Sequence, residues 1–104
     1  MGSDIENAMV AYAKYGIPLN NIADIVKQEY PDASLTEFEW GAERAWQRIK
    51  KAIGNFAGWC MGAVHGDDAP EVTEVCAKIA TGDLETIEFY RNQMGADDWR
   101  RCLN

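Results

Sequence analysis

The stretch from Ala52 to Gly66, AIGNFAGWCMGAVHG, constrains what this chain can fold into more than any other. It carries no charge as far as Val64, and its glycines recur at 54, 58, 62 and 66. A step of four stays near one face of an α-helix, so Gly54, Gly58 and Gly62 would line a bare groove. Phe56, Trp59, Cys60, Ala63 and Val64 point elsewhere. Each interior glycine costs roughly 0.5–1 kcal/mol of helix stability relative to alanine. Accepting that cost at regular spacing predicts close backbone packing, against another helix of this chain or against a partner. The uncharged run 52–64 is shorter than the ~20 residues that span a bilayer. No membrane partner is therefore expected.

The segments on either side read as amphipathic helices. Residues 4–15 form the first, capped by Ser3 or Asp4, with Ile5, Ala8, Met9 and Tyr12 at helical spacing and Gly16 as the residue that stops it. Leu19 to Tyr30 is the second, with Leu19, Ile22, Ala23, Val26 and Tyr30 as its apolar stripe and Pro31 as its stop. Ser34 and Glu37 make a capping box that opens the third. Its apolar positions are 35, 38, 42, 45, 46, 49, 52, 53 and 56. Two ends are open to it. Arg48, Lys50 and Lys51 ahead of Gly54 have the composition of a C-terminus. Alternatively Cys60 and Val64 extend the stripe from Phe56 in steps of four, which predicts the longer helix, with a kink allowed at Gly54-Asn55. Pro70 starts a fourth helix capped by Asp68 or Ala69, with Val72, Val75, Cys76, Ile79 and Ala80 inward. Asp83 caps a fifth, Leu84 to Met94, whose apolar face is Leu84, Ile87, Tyr90 and Met94, with Phe89 to one side. Gly95 ends it, and Asp97 or Asp98 caps a last turn holding Trp99 and Leu103. There is no strand pattern. The expected fold is all-α: a compact bundle of five to six helices over residues 1–104, one helical domain.

The net charge is −7 in 104 residues. That works against non-specific binding to nucleic acid or anionic membranes, because such binding runs on neutralised phosphates. Four of the ten basic residues, Arg44, Arg48, Lys50 and Lys51, nevertheless cluster within one short stretch, and Arg100-Arg101 makes a smaller cluster. The three cysteines Cys60, Cys76 and Cys102 are odd in number and have no C-x-x-C spacing, which argues against a disulfide framework and a structural zinc site and points to a reducing cytoplasm. The polar, acidic N-terminus MGSDIEN has no leader pattern.

Two parts of the chain resemble small phage-encoded helix-turn-helix proteins of the terminase small-subunit type. Tyr15 to Val26, YGIPLNNIADIV, is similar to their opening, in which a glycine ends one helix and an I-A pair sits inside the next. Thr81 to Asn92, TGDLETIEFYRN, followed by Trp99-Arg100, resembles the C-terminal G-D/N-x-x-A-x-x-F-W/Y-x-K/R-N … W-R pattern of those proteins. Ile87 stands where that pattern has alanine, and the would-be recognition helix carries Glu37, Glu39 and Glu43, which phosphates would repel. The resemblance implies a helix-turn-helix-like N-terminal half, a phage or mobile-element origin, a place in the host cytoplasm, and a role in DNA packaging or gene regulation.

The candidate partner- or nucleic-acid-binding residues lie on the third helix. Trp40, Arg44, Gln47 and Lys51 are separated by four, three and four, which puts them on one face, and Arg48 stands beside them. Such a basic stripe headed by an aromatic suits a phosphate backbone or an acidic partner. It equally suits a solvated face on which Arg44 stacks over Trp40 and Glu43 bonds Gln47. Cys60 and His65, five apart, do not align as a nucleophile pair, and Asp67-Asp68 and Asp97-Asp98 fit helix capping. No catalytic residue, metal site or cofactor is assigned, and no phosphate loop, hydrolase elbow or H-E-x-x-H is present. A non-enzyme is expected, with a protein partner, with DNA contact confined to the 40–51 face, and with self-association open. The second function class in view is an acidic protein that inhibits or modulates a nucleic-acid-handling complex, such as a host-defence nuclease; an anti-CRISPR protein is one example.

Overall fold

The structure, a computed structural model, describes residues 2–103. Among these the chain is all-α, with six helices: α1 (Gly2–Lys14), α2 (Leu19–Glu29), α3 (Leu35–His65), α4 (Pro70–Ala80), α5 (Leu84–Gln93) and α6 (Ala96–Cys102). Contacts sort the chain into two units, Met1–Ile49 and Lys50–Asn104. The first holds α1, α2 and the start of α3; the second holds the rest of α3 and α4 to α6.

In the first unit α1 packs on α2. Its core is Ile5, Met9, Val10, Ala13, Leu19, Ile22 and Val26, with Ala45 and Ile49 from α3. The α1–α2 turn closes as a Schellman motif: the Gly16 N–H donates to Ala13 O and the Ile17 N–H to Tyr12 O, with Gly16 at φ 85°. α1 begins earlier than its capping residues predict. Ser3 and Asp4 lie inside its first turn, and the ring of Trp40 covers that turn so closely that a Cβ on Gly2 would stand 2.5 Å from it. At α3 the expected cap is present: Ser34 Oγ accepts from the Glu37 N–H at 3.1 Å, and its hydroxyl donates to Glu37 Oε1 at 3.0 Å.

In the second unit the long form of α3 is the one observed, with helix running through Gly54 and Asn55 to His65. The glycine groove is filled by α4. A Cβ on Gly54 would lie 3.7 Å from Ile79 Cγ2, and one on Gly58 would lie 3.4 Å from Cys76 Sγ. Cys76 Sγ also donates weakly to Gly54 O at 3.8 Å. Gly62 lies instead under the side chain of Asp67. The buried residues of this unit are Ala52, Ile53, Phe56, Ala57, Val75, Ile79, Ile87, Trp99 and Cys102, with Arg91 as the charged one.

The extension of the core stripe past Phe56 is corrected. Cys60 is only half-buried and Val64 is 76% exposed, because α3 runs beyond the layer that covers it. Leu35 at the other end of α3 is exposed as well, as is Leu84 at the start of α5. Trp99 is buried, whereas Trp59 is mostly exposed and Trp46 half-buried. Arg91, one turn after Ile87, takes the inward place on α5. The capping roles of the aspartate pairs also change. Ala69, the second of the two expected alternatives, is the N-cap of α4, with no side-chain bond, and Gly95 rather than Asp97 or Asp98 is the N-cap of α6. Asp98 reaches back from the first turn of α6 to accept the Gly95 N–H at 3.1 Å. Asp83 is the N-cap of α5 as expected, but its carboxylate accepts from the Thr86 hydroxyl at 2.8 Å.

Candidate functional site

Four of the five candidate residues lie in the first unit. Trp40, Arg44, Gln47 and Arg48 share the outward side of α3; Lys51 belongs to the second unit and is exposed. Trp40 is 48% exposed, and the Arg44 guanidinium sits 4.9 Å from its ring centroid. Gln47 Nε2 donates to Glu43 Oε1 at 3.1 Å. Both contacts are those of a solvated helix face.

The two arginines are organised by a residue of α1 that sequence reasoning did not single out. Arg44 Nε donates to Glu6 Oε1 and Arg48 Nη1 to Glu6 Oε2, each at 3.0 Å. Arg48 also reaches Asn7 Oδ1 at 3.2 Å. Glu6 is 9% exposed, so its carboxylate is clamped between two cations at the edge of the core. Burial pushes its pKa up, but hydrogen bonds and charge from Arg44 and Arg48 outweigh that and hold the carboxyl below its ordinary value. A signal for this was present: Glu6 lies four and seven residues before Val10 and Ala13, on the buried face of α1.

The same pattern holds at the second basic cluster. Arg101 lies 4.6 Å over the Trp59 ring and pairs with Asp98 at 2.6 Å; Arg100 pairs with Asp97 at 3.2 Å. With Arg91 on Glu88 at 2.6 Å, every arginine of the chain has a carboxylate partner. The exposed pairs of Arg100 and Arg101 contribute little to stability, about 0–1 kcal/mol each. Their effect on recognition is larger, because a guanidinium already facing a carboxylate presents less positive field to a phosphate.

Elsewhere the candidate chemistry is sparse. Burial raises the Cys60 thiol, with Asp98 adding to the effect, so the group stays protonated at neutral pH. Among the described residues no group of three His, Cys, Asp or Glu side chains could hold a metal ion, and no helix is long and apolar enough to cross a membrane. No protein-family model, curated protein or solved structure matches the chain.

Proposed function

We propose that this protein is a small non-enzymatic binding protein. In this reading it presents an acidic surface to a basic protein partner and inhibits or modulates a nucleic-acid-handling complex. The observation that carries this is the pairing of all five arginines with carboxylates of the same chain, on top of a net charge of −7. An acidic surface of this kind can occupy a channel that otherwise takes phosphates.

A helix-turn-helix-like phage protein acting in DNA packaging or gene regulation is the second reading. It is favoured by the partial exposure of Arg44 and Arg48, whose side chains are 56% and 39% accessible beside Trp40. Phosphates could displace Glu6 from such pairs. The deciding experiment measures binding to duplex DNA at low salt, together with capture of host proteins that duplex DNA then elutes. Absence of DNA binding, with basic nucleic-acid-binding proteins among those eluted, is the expected result. Tight DNA binding at low salt, or an eluate lacking such proteins, would remove the first reading.

A further inference from the structure

The second unit carries an open groove between α4 and α5 that none of the sequence motifs predicts. It encloses about 470 Å³. Its apolar surface comes from Met61, Val75, Phe89 and Tyr90. Phe89 is 58% exposed and stands edge-on to Tyr90, ring centroids 5.1 Å apart. Two residues after Ile87, it lies well round the helix from the buried position, so α5 cannot turn it into the core without turning Ile87 out. A large exposed apolar side chain at the mouth of a groove, ringed by polar residues, has the anatomy of an anchor-binding site.

The rim sets the charge of what can enter. Glu71 and Glu74 line it from α4, and Asp83 and Glu85 from the start of α5. Lys78 is the one basic residue lining it and is held by Glu74 at 3.7 Å. Nucleic acid and anionic lipid are repelled by this rim. A bare metal ion finds no cluster of ligands among the described residues. A segment with lysines or arginines flanking one large apolar side chain satisfies both the rim and the floor.

We propose that the α4–α5 groove is the docking site for such a basic segment of a partner protein, with Phe89 and Tyr90 receiving its apolar side chain. The inference rests on the acidic-binder reading above and names its site and partner chemistry. The probe is the fluorescein-labelled peptide KKFKKLKK, followed by anisotropy against the intact protein, with KKSKKSKK as the charge-only control. Phe89→Ala, and separately the Glu71→Gln, Glu85→Gln double variant, are expected to weaken KKFKKLKK by roughly tenfold, and KKSKKSKK to bind the parent more weakly by a similar factor. Both variants change exposed residues, and circular dichroism checks that each keeps its helix content.

Equal binding of the two peptides, or binding unchanged in Phe89→Ala, would mean diffuse attraction to a −7 protein and would overturn the groove. Concentration-dependent self-association that Phe89→Ala abolishes, read by light scattering, would overturn it in favour of a second copy. These failures differ from failure of the underlying reading. The groove alone falls if the peptide binds elsewhere while DNA does not bind; the reading falls if duplex DNA binds tightly at low salt, whatever the peptides do.

Discussion

Arg91 reaches into the core of the second unit. It is 4% exposed; its Nη2 meets Glu88, and its Nε and Nη1 have no partner among the described residues. A buried cation in this state depends heavily on its single carboxylate. Glu88→Ala is therefore expected to cost about 3 kcal/mol in urea denaturation, by leaving an uncompensated charge inside. Arg91→Met, which removes the charge and fills similar volume, should be close to neutral, since Glu88 is partly exposed and water can take it. Equal losses in both variants would show that the packing of the Arg91 side chain, rather than its pairing with Glu88, holds this part of the core. Glu6 makes a second prediction, through pH. Its folded pKa lies below its ordinary 4.5. Its stabilisation is thus complete above about 4.5 and disappears as pH falls through the lowered folded value. Thermal melts taken down through the carboxylate range should show this loss in the parent and a shallower acid slope in Glu6→Gln. Parallel slopes would mean that Arg44 and Arg48 do not depress Glu6.

The helices meet at glycines, but not all glycines are used alike. A Cβ on Gly41 would lie 2.6 Å from Gly2 O and 2.9 Å from Ile5 Cβ, so α1 and α3 approach there at backbone distance. Gly41→Ala has to push a helix away and should destabilise by about 1–3 kcal/mol. Gly54 is different, because its new methyl would make an ordinary contact with Ile79. Gly54→Ala should stabilise by about 0.5–1 kcal/mol through helix propensity alone. Gly58→Leu should lose stability, since a leucine there runs into Cys76 and Val72. Denaturation midpoints of the three variants are the check. An unchanged Gly41→Ala midpoint would contradict the close approach of α1 and α3.

At the scale of the whole molecule, charge is the property that separates the functional readings. Both units are acidic in balance, and the arginines that could have made a positive face are matched by carboxylates. If Glu6 is what quiets the α3 face, releasing its partners should be visible from outside. Glu6→Ala is expected to gain weak duplex-DNA affinity at low salt, with a salt slope steeper by up to about two phosphate contacts. The titration is read beside a thermal melt, because the same change removes the Glu6 bonds. No gain in affinity from a folded variant would show that Arg44 and Arg48 are not kept from DNA by pairing.

The all-α class, the six helical segments and most of the inward residues were legible in the sequence. Leu19, Ile22, Val26, Ile49, Ile53 and Phe56 follow the helical period, and Gly16, Pro70 and Ser34 mark ends through local backbone chemistry that needs no partner. The spacing of Gly54 and Gly58 was legible as a packing surface, and the alignment of Trp40, Arg44 and Gln47 as one helix face. Periodicity says which face turns inward but not how far the covering layer extends, so Val64 and Leu35 continue the pattern and still meet solvent. Local spacing also cannot pair residues some forty positions apart. The clamp of Glu6 on Arg44 and Arg48, the contact of Gly2 and Ile5 with Gly41, and the α4–α5 groove exist only once helices have packed. Charge count and hydrophobic period are properties of the chain. Which charges neutralise each other, and which apolar side chains stay uncovered, depend on distances that only tertiary packing sets.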